Sequence, residues 1–200
     1  MKAKAIHAAF QGSAIIEQVY SLKTRALLVG RGVIGKLAGS RVGVLVFDPF
    51  LNSGDAEKLG AKKVETLDEL FSAAFVISNH LANNEKTRGM LQYRHFSLMH
   101  DYGVFINTGR GAQVDEDGLV KALKEKPTRT ALLDVTWPEP ARQDHPFFGM
   151  DNILISPHIA GTISNEHIWL GEYIAREFLA LIAHEPLRSE VTEDMLLTMA

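Results

Sequence analysis

The sequence predicts an α/β fold, a doubly wound parallel sheet in one main domain, and three observations carry that expectation. Short apolar runs alternate with amphipathic ones from Arg25 onward, which is the rhythm of strand–helix units covering a parallel sheet on both faces. Each apolar run ends near Gly, Asp, Asn or Ser, residues that turn a chain where a strand stops. A glycine pattern, Gly30-x-Gly32-x-x-Gly35, follows the first run, and an acid, Asp48, follows the second.

Taken in order, strands are expected at residues 26–29, 42–47, 75–77, 104–107, 131–134 and 153–155, with a weaker one at 63–64. Helices are expected at 55–59, 67–71 and 115–124. The last has Asp115 as its N-cap and Val114, Leu119, Val120 and Leu123 as its apolar face, while Gly118 weakens its first turn. The longest helical pattern spans 165–183, where Ile168, Trp169, Tyr173, Ile174, Phe178, Leu179 and Ile182 recur at three- and four-residue spacing. A loop and a short helix from near Thr192 close the chain. This divides the sequence into a short N-terminal remnant (1–23), a main domain (24–161) and a C-terminal helix with its tail (162–200).

Composition narrows the function classes. With 200 residues, 46% hydrophobic and 22% charged, the chain has the make-up of an ordinary globular protein able to bury one core. A net charge of −3, with its 21 Lys and Arg scattered, offers no basic field for nucleic acid. There are no cysteines, hence no disulfides, thiolate metal site or cysteine nucleophile. The first ten residues do not read as a signal peptide, and no apolar run approaches the roughly 20 residues that span a bilayer. The expected location is cytoplasmic, without membrane or nucleic-acid partners.

The glycine pattern has a mechanical meaning if a strand runs straight into it. Gly30 permits a tight turn, Gly32 lets the backbone approach a pyrophosphate, and Gly35 lets the next helix pack closely, with Val33 and Ile34 completing the loop. Free N–H groups at that helix start would face phosphate oxygens. Asp48, 18 positions after Gly30, is placed to accept the adenosine ribose hydroxyls and to repel a 2′-phosphate, which favours NAD over NADP. Only thirteen positions separate Gly35 from Asp48, leaving residues 36–41 for the crossover helix, with Gly39 and Ser40 inside it. Against a mean helix of about 11–12 residues, a truncated helix and a weakened cofactor site are expected. Turn glycines with no ligand are the plainer reading of the same letters.

Three segments at expected strand ends carry the chemistry: Asn107-Thr108-Gly109-Arg110-Gly111, Asp134-Val135-Thr136-Trp137-Pro138-Glu139-Pro140, and Ser156-Pro157-His158-Ile159-Ala160-Gly161. Open α/β sheets bind ligands beyond the carboxyl ends of their strands, so Arg110, Glu139 and His158 are expected to converge there. A cation, an acid and an imidazole form a complete set for reducing a 2-keto acid. The arginine clamps the carboxylate, the histidine supplies the proton and the glutamate keeps the ring charged. Singly, each residue has a duller reading: a loop cation, a solvated acid, a satisfied loop histidine. His95 and His100 lack the spacing of a zinc helix, and His7, His145, His167 and His184 have no partner in sequence, so no metal is assigned.

With the glycine loop, and with Ser78-Asn79-His80-Leu81 ahead of Thr87-Arg88-Gly89, these segments resemble the D-isomer-specific 2-hydroxyacid dehydrogenases from about Leu27 to Ala160. The resemblance implies a Rossmann-like domain that binds NAD and a small 2-keto or 2-hydroxy acid as substrate. It implies Arg110 as substrate-binding arginine, His158 as general acid/base and Glu139 as its partner. Asp134 would meet the nicotinamide carboxamide, and His80, Thr108 and Gly161 would line the cofactor groove. It also implies a homodimer.

Several features depart from the family. Its members carry a second, substrate-binding domain built mostly from a long N-terminal segment, and here residues 1–23 are too short to form one. The chain is therefore expected to be a short form with reduced or no activity alone. Ala82 and Asn84 replace a proline and a threonine of the family pattern, which loosens a turn. Two other functions remain open: an NAD(H)-sensing module acting through a protein partner, and an inactive remnant.

Overall fold

The computed structural model describes residues 13–17, 28–161 and 163–193. Seven parallel strands form one sheet in the order β3-β2-β1-β4-β5-β6-β7. They are β1 (Ser13–Glu17), β2 (Val44–Phe47), β3 (Lys62–Val64), β4 (Val76–His80), β5 (Val104–Asn107), β6 (Thr130–Leu133) and β7 (Ile153–Ile155). The helices are α1 (Leu28–Leu37), α2 (Ser53–Lys58), α3 (Leu67–Ala73), α4 (Tyr93–Ser97), α5 (Glu116–Glu125) and α6 (Glu166–Ile182). The order runs outward from β1 in both directions, so the chain changes direction between β1 and β4. In doubly wound sheets that switch point opens the crevice that takes a ligand.

From β2 onward the strands fall where the apolar runs place them. In β2, β5 and β6 residues alternate between buried and half-buried, because helices cover the sheet. Three of the helices, α2, α3 and α5, start on side-chain caps. Asn52 accepts from the Asp55 N–H at 2.9 Å, Thr66 from Glu69 at 3.0 Å, and Asp115 from Gly118 at 3.1 Å, each satisfying a donor that the first turn leaves open. The core gathers Phe71 of α3, Phe96 of α4 and Phe105 of β5, all fully buried. Phe96 meets Phe105 edge-on at 5.1 Å, and Phe71 meets Phe96 at 5.6 Å, the offset geometry that aromatic quadrupoles favour. The buried Arg129 donates to the carbonyls of Ser97, Met99 and His100, closing the end of α4.

The start of the domain differs from the expectation. A strand was expected at 26–29, but Leu28 and Val29 are helical, and residues 26 and 27 lie outside the described residues. The central strand comes instead from Ser13–Glu17, within the stretch read as lying ahead of the domain, and it pairs with β2 and β4. Gly30, Gly32, Val33, Ile34 and Gly35 all lie inside α1 and not on a strand-to-helix turn. The helix ends near Gly39, whose φ is +84°. With so little chain before β2, α1 reaches ten residues only by running back through the glycines. Ile34 then packs, fully buried, with Val44, Val46, Leu51, Ala56 and Ala61 in a second, smaller core.

Two further differences are local. Helix α4 has no counterpart in the sequence reading, since five residues are too few to display a 3.6-residue period. Gly118, read only as a weak point of α5, stands where an added Cβ would lie 2.8 Å from the Tyr93 nitrogen, so the close approach of α4 requires glycine. Helix α6 forms as its periodicity predicts, yet buries none of its residues. The expected final helix falls almost entirely on residues 194–200, outside the described residues.

Candidate active site

The loops after β5, β6 and β7 each carry one of the three candidate catalytic residues, on strands that are hydrogen-bonded neighbours; Glu139 and His158 share one cavity, which Arg110 does not line. His158 and Glu139 meet directly, with Nδ1 2.5 Å from Oε1 and both side chains partly open to solvent. His158 has a φ of +53°, an uncommon conformation for a residue with a Cβ. Its backbone N–H donates to the carbonyls of Asp134 and Ser156, both at 3.0 Å.

Asp134 sits at the end of β6 with little exposure and both carboxylate oxygens engaged. Oδ1 accepts from Ser156 Oγ at 2.6 Å and the Ile159 N–H at 2.8 Å, and Oδ2 accepts from the Ala160 N–H at 2.8 Å. Burial pushes its pKa up, but these three bonds and the nearby His158 outweigh that and hold it below the ordinary carboxylate value. Beside this cluster lies a cavity of about 540 Å³ that Asp134, Glu139 and His158 line together with Phe147, Phe148 and Met150.

Arg110 is exposed at the end of the β5 loop, and Nη1 donates to the Gly109 carbonyl at 2.8 Å. Its backbone is held by a buried amide network absent from the sequence reading. Asn79 Nδ2 donates to Asn107 Oδ1 at 3.0 Å and to Gln113 Oε1 at 2.6 Å, and Gln113 Nε2 donates to the Leu81 carbonyl at 2.6 Å. Asn107 Nδ2 reaches the Arg110 carbonyl at 3.2 Å, and the Arg110 N–H reaches Gln113 Oε1 at 3.3 Å. Every amide thus finds a partner, as burial demands, and the loops after β4 and β5 become one unit. Gly111 presses against the Thr136 backbone, which joins the Arg110 loop to the loop bearing Glu139.

A second histidine–glutamate pair braces that loop. Glu116 at the start of α5 accepts from the Trp137 N–H at 2.9 Å and lies 3.1 Å from His145 Nε2. His145 Nδ1 accepts from the Phe147 N–H at 3.3 Å, so Nε2 carries the proton that faces Glu116. Burial raises the Glu116 pKa to about 7, against the pull of the Trp137 N–H and with a push from Asp117.

On the other half of the sheet, Asp48 follows β2 and is fully buried. Its Oδ1 accepts from the Phe50 N–H at 2.8 Å. Burial raises its pKa to about 7, while the Phe50 and Leu51 N–H groups and the charges of Lys63 and Arg31 pull it down. His80 ends β4 across from Glu17 of β1, at the switch point, with Nε2 2.8 Å from Ser78 Oγ. Burial lowers its pKa by disfavouring the charged ring. Thr108 is half-buried and Gly161 exposed at the ends of their loops. Beside Gly32 and Gly35 an added Cβ would meet nothing within 4 Å. An acid after β2, open space along the glycine face of α1 and a histidine at the switch point stand in the order that the adenosine side of a dinucleotide calls for, with the Asp48 carboxylate itself fully buried and turned to the Phe50 N–H. The link between β1 and α1, where a phosphate turn would fall, lies outside the described residues.

The sheet order and these strand-end loops define a dinucleotide-binding α/β domain of the Rossmann type. The profile of the D-isomer specific 2-hydroxyacid dehydrogenase, NAD binding domain, matches residues 23–160, and the chain belongs to that family. It is 32% identical over 163 residues to a D-3-phosphoglycerate dehydrogenase of Archaeoglobus fulgidus, covering 82% of this chain and 31% of that protein. It is 30% identical over 183 residues to a glyoxylate reductase of Thermococcus litoralis, covering 88% of this chain and 55% of that one. The chain thus spans only part of the length of these relatives. Among solved structures, a D-isomer specific 2-hydroxyacid dehydrogenase from Xanthobacter autotrophicus in complex with NADPH and MES superposes with a TM-score of 0.75 at 23% identity, covering 94% of this chain and 73% of that one. A D-lactate dehydrogenase with NAD+ from Lactobacillus jensenii gives 0.74 at 21% identity, covering 92% and 56%. At those identities the likeness concerns the fold.

Proposed function

We propose that this domain serves an oxidoreductase that moves a hydride between NAD(H) and a small 2-keto or D-2-hydroxy acid. The observation that carries the reading is the 2.5 Å contact between His158 and Glu139 at the carboxyl end of the sheet, with the Arg110 loop beside it. Bound NADH supplies the hydride. Arg110 pairs with the substrate carboxylate and draws charge from the carbonyl. His158 gives its proton to the carbonyl oxygen as the alcohol forms, and Glu139 balances the charge on the ring until it does. In the reverse direction the same ring accepts the hydroxyl proton. Asp48 accepts the adenosine ribose hydroxyls and selects NAD(H) over NADP(H). His80 and Thr108 line the groove.

The test begins with fluorescence titration of the purified chain with NADH against NADPH, followed by NADH consumption with a panel of small 2-keto acids. The reading requires saturable NADH binding that is weaker for NADPH, and turnover that Arg110 and His158 substitutions abolish. Binding without turnover, accompanied by a nucleotide-dependent change of oligomer, would favour a second reading, an NAD(H)-responsive module that works through a protein partner or a second copy. The exposed Ile168, Trp169 and Phe178 of α6 support that reading.

A further inference from the structure

We propose that Asp134 is the positioning residue for His158, clamping the turn 156–160 so that the imidazole is presented to substrate and to Glu139; this rests on His158 being the proton donor. One buried residue grips four of the five positions of that turn. Its carboxylate takes the Ser156 hydroxyl and the Ile159 and Ala160 N–H groups, at 2.6, 2.8 and 2.8 Å, and its carbonyl takes the His158 N–H at 3.0 Å. The Leu133 carbonyl adds the Ser156 N–H at 2.9 Å.

The grip explains how a histidine keeps a φ of +53°. A residue with a Cβ persists there only where its surroundings over-determine it. Here the next two N–H groups, those of Ile159 and Ala160, both point at one carboxylate, and straightening the turn would strip that buried anion of these donors. Glu139 then fixes the ring from the other side. Backbone and ring are held by separate acids, from two places on the same loop after β6. Ionised Asp134 matters chemically, since only a carboxylate accepts on both oxygens.

Asp134→Asn tests this at constant shape, because the amide nitrogen would face a donor where the carboxylate accepts. In the full chain, free of nucleotide, amide exchange at Ile159 and Ala160 is expected to quicken by at least ~10-fold in the variant with β5 amides unmoved. The His158 ring resonances should move to the positions they take in Glu139→Gln. With substrate, kcat is expected to fall at least ~10-fold while NADH affinity and the keto-acid KM change less than ~3-fold. A residue serving only to anchor the nicotinamide would raise the NADH Kd and leave exchange and ring signals unchanged, and that result overturns the proposal. Should Asp134→Asn fail to fold, the wild-type chain decides: Ile159 and Ala160 must exchange slowly although both are solvent-exposed residues, and exchange at free-loop rates overturns the clamp. If the wild type consumes no NADH with any 2-keto acid, the functional reading falls, while the exchange and ring signals still judge the clamp on its own.

Discussion

Gly111 lies so close to Thr136 that an added Cβ would stand 2.1 Å from the Thr136 carbonyl carbon. Backbone touches backbone here, so no rotamer can relieve the clash. Gly111→Ala must push the Arg110 loop away from the loop carrying Glu139. Overpacking of this kind costs ~1–3 kcal/mol, which a urea titration would read as a lower midpoint with an unchanged slope. Activity is expected to fall further than stability, because the displacement separates the two sides of the site.

Asp48 gives the protein a pH signature. Its folded pKa, about 7 against an ordinary 3.8, means that the folded state holds a proton that the unfolded state releases. Its contribution to stability is therefore complete below about pH 4 and is lost as pH rises through about 7. Ribose recognition needs the opposite form, the ionised carboxylate. NADH affinity is expected to rise with pH through the same window in which this group's stability term declines. In Asp48→Asn both pH dependences should flatten, and a titration that keeps its slope in the variant would refute the assignment.

At the proposed catalytic pair, Glu139→Gln is expected to lower kcat/KM by ~10²-fold, within the range for losing acid–base assistance, and His158→Ala by at least as much. Arg110→Lys keeps the charge and loses the bidentate fork. It should act chiefly on the keto-acid KM, by ~10-fold, leaving NADH binding unchanged. Steady-state kinetics with NADH titrations separate the three.

His145→Ala is expected to cost ~1–3 kcal/mol, the range for leaving a buried polar group short of its partner. Removal takes the acceptor from the Phe147 N–H and the donor from Glu116 together. Glu116→Gln keeps an acceptor for Trp137 and should cost less. Chemical denaturation of the two variants ranks them.

Much of this was written in the local pattern. Most strands from β2 onward stand out because parallel strands covered on both sides are largely apolar, and Arg110, Glu139 and His158 are marked by their places beyond strand ends. The first strand was misplaced because residues 26–29 combine a strand-like composition with a glycine motif. Competition between that reading and a helix through the glycines is decided by chain length and tertiary packing, which no local window contains. The Asn79–Asn107–Gln113 network was hidden for a different reason. Its members lie 28 and 34 positions apart, and a buried amide looks no different in sequence from a solvated one. The same holds for Asp134, legible as a strand-end acid but not as the anchor of a turn more than twenty residues away.

The glycines of α1 have a thermodynamic consequence. Three of its ten residues are glycine, and each weakens a helix by about 1 kcal/mol relative to alanine, which lowers the cost of unwinding the segment. A nucleotide that draws on the unwound backbone is bound with an apparent Kd divided by the fraction already unwound. Filling Gly32 or Gly35 with alanine, where there is room for the methyl group, would thus raise the melting temperature and weaken NADH binding in the same protein. The short crossover would then act as a thermostat on cofactor affinity, set by how many residues lie between the glycines and Asp48.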